Sequence, residues 1–216
     1  GATSQAPYTI ASGNNLIGST AGDKIGSGGI ITLANSNFLA LSPLWSNGSA
    51  SAAGAVTWSS GGLAHQSGNV SSTNSLVGST LGDQVGSGGI VVLPNESYVV
   101  LSPQWNGDRG AVTWSFPGTN PTVGAASASN SLVGSTANDQ VGSGGVIALP
   151  NGNYVAVMPS HDFARGAVTY ANVAANTNVA NSQITTSNSL VGSSSGDHVG
   201  RSRGSRGWVG VGGLRV

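Results

Sequence analysis

The chain has 216 residues, no cysteine, and only 6% charged residues, against about 25% in an average soluble domain. Disulfides, thiolate catalysis and cysteine metal sites are therefore excluded, and no apolar run is long enough to cross a membrane as a helix. Seven basic residues balance seven acidic ones, but Arg201, Arg203, Arg206 and Arg215 lie beyond residue 200. The rest is weakly acidic and lacks the clustered Lys and Arg that a nucleic-acid partner needs. With 35 glycines, 38% hydrophobic residues and zero net charge, the chain reads as ordered, β-rich and solubilised by Ser, Thr and Asn.

In chain order, residues 1–22 read as the end of a repeat, with Tyr8-Thr9-Ile10 as a third strand and Leu16-Ile17-Gly18 as a fourth. Gly1 opens no signal peptide, as expected of a mature or excised form. Asp23, Asp83, Asp139 and Asp197 then recur at steps of 60, 56 and 58 residues. The first three stand before a Gly-Ser-Gly-Gly run, and each follows a Leu-Ile/Val-Gly-Ser strand. The chain divides into repeats at 23–82, 83–138 and 139–196, with a truncated fourth at 197–216. A period of this size means stacked supersecondary units.

Each repeat predicts four short strands. In the third, Val146-Ile147-Ala148-Leu149 and Tyr154 to Met158 flank a Pro-Asn-Gly-Asn turn, a hairpin signal. A variable loop follows, then Gly166-Ala167-Val168-Thr169-Tyr170, a second loop rich in Ser and Asn, and the Leu190-Val191 strand. Helix periodicity is missing. Four antiparallel strands per repeat is the anatomy of a β-propeller blade, with a β-solenoid as the alternative.

The order Val-Gly-Ser-Gly-Gly, apolar strand, Asn-Gly-Asn turn, Tyr-Val strand and Gly-Ala-Val-Thr-Trp, over roughly residues 15 to 200, resembles repeats of very large secreted bacterial proteins of the filamentous-haemagglutinin or adhesin type. More distantly it is similar to the FG-GAP blades of integrin propellers. The resemblance implies a secreted or cell-surface bacterial setting and carries over no assigned chemistry. An integrin blade carries a calcium loop of alternating Asp at its first hairpin. The turns at 34–37, 94–97 and 150–153 offer one carboxylate in all, Glu96, so no metal is expected there, and no cofactor.

The recurring Asp23, Asp83, Asp139 and Asp197 read as acceptors for the backbone N–H groups of tight glycine turns. The Gly-Ser-Gly-Gly runs precede strands rather than helices, which argues against a phosphate cradle. His65, His161 and His198 share no ligand spacing, and no nucleophile elbow occurs, so no enzyme is expected. Trp58, Trp114 and Tyr170 end the third strands and read as packing residues between repeats. Trp45 and Trp105 in the first variable loop, with His161 at the matching place, read as ligand-binding candidates, joined by Asp108, Arg109, Asp162 and Arg165. The expected function is an extracellular structural or adhesive module that self-associates as a homo-oligomer or filament. The alternative is a lectin-like propeller that takes glycans at the loop tryptophans. Residues 201–216 break the repeat, as an end cap, a basic tail for an acidic partner, or a truncation.

Overall fold

The computed structural model describes residues 13, 15–62, 65–116, 118, 121–173 and 182–201. The proposed third strand at 8–10 and the tail from residue 202 lie outside them. Strand β1 (Leu16–Ile17) comes first. The first repeat then gives β2 (Gly29–Thr32), β3 (Phe38–Ser42), β4 (Ala55–Ser59), β5 (Gly68–Asn69) and β6 (Ser75–Val77). The second gives β7 (Gly89–Val92), β8 (Tyr98–Ser102), β9 (Ala111–Ser115), β10 (Gly124–Ala125) and β11 (Leu132–Val133). The third gives β12 (Val146–Ala148), β13 (Tyr154–Met158), β14 (Ala167–Ala171) and β15 (Leu190–Val191). The fold is all-β, with one four-stranded antiparallel sheet per repeat, in the orders β2-β3-β4-β6, β7-β8-β9-β11 and β12-β13-β14-β15. Among the described residues helix is confined to single turns at Ala34–Ser36, Trp105–Asp108 and His161–Ala164.

The sheets stack face to face, as blades do in a propeller. Leu39, Leu41, Val56 and Leu76 of the first sheet share a core with Tyr98, Val100 and Ala111 of the second. On the other face of the second sheet, Val99, Leu101, Val112 and Leu132 share a core with Tyr154, Ala156, Met158 and Ala167 of the third. Both faces of β8 are therefore buried, which is why Tyr98-Val99-Val100-Leu101 runs apolar without alternation. The two faces are unlike. One carries a rung of branched residues, Leu41-Val56-Leu76 in the first sheet and Leu101-Val112-Leu132 in the second. The other alternates small and hydroxyl residues, Ala111 and Thr113 or Ala167 and Thr169, with one ring, Tyr98 or Tyr154. Large against small lets successive sheets interdigitate, and each buried Leu is worth roughly 1.5–3 kcal/mol.

A second device joins neighbours. Segments that lead into a fourth strand lie parallel to the fourth strand of the preceding repeat, as straps. The β5 strap pairs with β1 (Gly68 with Leu16, Asn69 with Ile17), and β10 pairs with β6 (Gly124 with Leu76, Ala125 with Val77). Gln183 bridges to Val133 of β11 in the same sense. The third strap residue closes each joint: Val70 N–H donates to Ile17 O at 3.0 Å, Ala126 to Val77 O at 2.9 Å and Ile184 to Val133 O at 3.1 Å. All three side chains are buried. These segments have the sequence of loops, because two or three paired residues carry no periodicity. Parallel pairing between successive units is the kind of link that a solenoid uses.

An asparagine ties each strap to its own sheet. Asn74 Nδ2 donates to Asn69 O, and its Oδ1 accepts Ser71 N–H and the Ser75 hydroxyl, each at 2.9 Å. Ser75 accepts in turn from Thr57, at 2.7 Å. Asn130, Ser131 and Thr113 repeat the network, as do Asn188, Ser189 and Thr169. The recurring Asn-Ser-Leu motif thus satisfies buried hydroxyls as a set, which favours one register of stacking.

Candidate functional site: the joint between repeats

The repeated aspartate sits where one repeat hands over to the next. Asp83 Oδ2 accepts the N–H groups of Ser79 and Thr80, each at 2.8 Å, while Oδ1 accepts Asn106 N–H at 2.9 Å from the following repeat's loop. The Thr80 hydroxyl also donates to Oδ1. Asp23 holds Ser19, Thr20 and Ser46 in this way, and Asp139 holds Ser135, Thr136 and Asp162. All three are buried. Burial by itself raises the Asp139 carboxyl, but His161, the Thr136 hydroxyl and N–H, and Asp162 N–H outweigh it and hold it well below the usual carboxylate range. Asp197 is exposed and accepts Ser194 N–H at 2.8 Å and the Ser193 hydroxyl at 3.2 Å. The Ser194 N–H leads in holding its carboxyl low.

Behind each aspartate the chain grips the preceding loop. Gln84 N–H and Val85 N–H donate to Ala52 O and Ala53 O, and Gln140 and Val141 bond to Asp108 O and Arg109 O. The approach is close enough to require glycine. A Cβ on Gly110, whose φ is +77°, would stand 2.2 Å from Val141 N, and Gly54 and Gly166 are in the same position.

The loop aromatics turn inward. Trp45, Trp105 and His161 are 3%, 8% and 3% exposed. Trp45 packs with Ala55, Val70 and Val77, and Trp105 lies in a core with Ala111, Ala126 and Val133. Neither indole N–H has a hydrogen-bond partner among the described residues. No ring face is open for a sugar to stack on, so these side chains act in the joint. Position on a loop gave no measure of burial, and this loop folds back over a strap. His161 Nδ1 lies 3.2 Å from Asp139 Oδ2.

The charged candidates serve the same joint. Arg109 donates to Ser135 O at 3.0 Å. Arg165 donates to Gly192 O at 2.8 Å and pairs with Asp162 at 2.8 Å, a partly exposed pair worth little. The Asp108 carbonyl accepts Gln140 N–H. At the strand ends, Trp114 Nε1 donates to Ser97 Oγ at 3.0 Å, and Asn153 Nδ2 donates to the Tyr170 hydroxyl at 2.6 Å, while Trp58 Nε1 has no partner among the described residues. The exposed ring on the third-repeat loop is Phe163, 79% exposed and left-handed at φ +56°, where the second repeat has Gly107. Comparison with Gly107 was the available signal. Among the described residues no group of three or more His, Asp or Glu converges as a metal site would require.

One surface departs from the pattern. Leu76 and Leu132 are 2% and 0% exposed, but their counterpart Leu190 is 75% exposed, and Tyr170 in the same face is 48% exposed. Val155 and Val168 between them are half-buried. Among the described residues no strand lies on the outer edge of β15.

A family model described as a repeat of unknown function, DUF5650, matches residues 2–27, 32–87, 92–143 and 148–201. The chain belongs to this repeat family. Its four matches end near the glycine turn after each aspartate, so the family unit runs from hairpin to joint. A search of curated proteins gave no match.

Proposed function

We propose that this chain is a structural module of a secreted or cell-surface assembly, and that it self-associates by stacking sheet on sheet. The observation that carries this is the outer face of the third sheet. Val155, Val157, Val168, Tyr170 and Leu190 stand in the register that, one repeat earlier, buries Val99, Leu101, Val112 and Leu132 and packs the half-buried Trp114 against them. Leu190 and Tyr170 on this face are exposed, and exposed apolar side chains in that register mark an interaction surface. The near absence of charge supports the reading, since such a surface offers little repulsion between copies. The resemblance to repeats of adhesin-type bacterial proteins supports the extracellular setting. Every aspartate and loop aromatic that the sequence singled out is engaged in holding repeats together, except the exposed Asp197, which supports a structural rather than a chemical role.

Static light scattering of the native chain across the micromolar range tests this. The mass should rise with concentration, and Leu190→Asp should abolish the rise while leaving circular dichroism unchanged. A mass fixed at one chain throughout would contradict the proposal.

A further inference from the structure

Asn-Gly pairs occur at 47–48, 106–107 and 151–152. The pair is chemically special, because glycine has no Cβ to keep its amide nitrogen away from the preceding side-chain carbonyl. That nitrogen can attack the asparagine Cγ and close a five-membered ring. How readily it does so depends on how firmly the fold holds the side chain and the nitrogen. The three pairs are held differently.

The Asn47 side chain is tied across a joint. Its Nδ2 donates to Gly78 O at 2.8 Å, and its backbone N–H and C=O both bond to Ala50, each at 3.0 Å. Asn151 is tied within its turn. Its Oδ1 accepts Asn153 N–H at 3.1 Å, and the Gly152 nitrogen, which would attack, donates to Leu149 O at 3.0 Å. Gly152 is also buried, and a Cβ on it would stand 3.0 Å from Asn95 Nδ2 of the preceding repeat. Asn106 and Gly107 are both exposed. Asn106 N–H is anchored on Asp83 Oδ1, but the Asn106 side chain makes no hydrogen bond among the described residues.

The third repeat carries an aspartate at the matching place. Asp162 N–H donates to Asp139 Oδ1 as Asn106 N–H does to Asp83 Oδ1. The Asp162 carboxylate accepts from Arg165 Nη1 at 2.8 Å. Arg109 follows Asn106 at the spacing at which Arg165 follows Asp162. A carboxylate at position 106 would therefore have both room and a partner.

We propose that Asn106 is a modification site, converted without an enzyme to aspartate and isoaspartate, with water as the co-reactant. The Gly107 nitrogen attacks Asn106 Cγ and gives up its proton. The Cγ–Nδ2 bond breaks, and ammonia leaves with that proton. Water then opens the cyclic imide without any change of oxidation state. Cleavage of the new bond at Cγ gives aspartate, and cleavage of the original peptide bond gives isoaspartate. Either product adds a negative charge to a chain whose net charge is zero. Aspartate keeps the backbone of the third-repeat loop. Isoaspartate routes the backbone through Cβ and lengthens it by one methylene. The extra methylene falls between the N–H held by Asp83 and the Asp108 and Arg109 carbonyls, which hold Gln140 and Val141. It therefore loosens the joint between the second and third repeats.

The native chain, incubated in mildly alkaline buffer both folded and in urea, tests this, with each conversion located by tandem mass spectrometry. In the folded chain Asn106 should convert about tenfold faster than Asn47 or Asn151, since each of those must first release a hydrogen bond. In urea the three rates should converge. Folded-state conversion of Asn47 or Asn151 as fast as that of Asn106 would overturn the proposal. So would an intact Asn106 in the folded chain after a time in which the unfolded chain converts. Asn106→Asp should melt where the native chain melts, while the isoaspartate fraction, separated by ion exchange, should melt lower. A lowered midpoint for Asn106→Asp would contradict the place assigned to the carboxylate beside Arg109.

Discussion

The outer faces of the second and third sheets are built from nearly the same residues in the same register. Val99, Leu101, Val112, Trp114 and Leu132 form one, and Val155, Val157, Val168, Tyr170 and Leu190 form the other. The first packs against Tyr154, Ala156, Met158 and Ala167 of the third sheet, whereas the second meets water at Leu190 and Tyr170. A repeat of this kind cannot bury its own branched face. It depends on the next unit for the sheet contact, the strap and the acceptor loop together, as the units of any repeat array depend on their neighbours.

Paired substitutions at equivalent positions break the comparison most sharply. Leu132→Ala should cost about 2–5 kcal/mol by leaving a cavity in the shared core, whereas Leu190→Ala should stay within about 0.5 kcal/mol in dilute solution. Denaturant melts of the two variants read the difference, and equal losses would mean that the third sheet is covered. Asp83→Ala strands three backbone N–H groups at a buried joint and should cost about 2–3 kcal/mol. Asp197→Ala should leave the denaturation midpoint where it is.

Acid sharpens the same contrast. The folded Asp139 carboxyl titrates below its unfolded value of 3.8, so its contribution is complete above that value and is lost as pH falls through and below it. Amide exchange at Asp162 N–H, which Asp139 accepts, should therefore quicken as pH drops below about 3.8, beyond the change in intrinsic exchange rate, and Asp139→Asn should remove that excess. The smallest effect lies on the loop. Phe163→Gly relieves a left-handed residue and should raise stability by about 1 kcal/mol, whereas Gly107→Phe in the second repeat should lower it by a similar amount.

Much of the fold was legible because each repeat writes its hairpin in residues with one structural use. Pro-Asn-Gly-Asn between two β-branched runs marked the turn at 150–153, and Gly-Ala-Val-Thr-Trp marked the third strand. That the aspartate accepts backbone N–H groups was legible from its turn chemistry, but the expected donor, the glycine turn that follows, is not the one used: Ser79 and Thr80, just before Asp83, donate instead. The second partner of that carboxylate was hidden, because Asn106 lies 23 residues beyond Asp83. The straps were hidden because pairs such as Gly68-Asn69 and Gly124-Ala125 carry no strand propensity, and they pair because the neighbouring repeat presents an edge. Trp45 and Trp105 were assigned to ligand from their place on a loop, but an amphipathic ring is equally suited to fill the space beneath a strap.

Amide exchange at Val191, compared with Val133 across a range of protein concentrations, tests the central claim most directly. Val133 N–H already donates to Ser182 O within the chain, so its protection should not depend on concentration. Val191 should exchange quickly in dilute solution and become protected as concentration rises and a second copy covers β15. Protection of Val191 that is the same at every concentration, whether high or low, would contradict the account.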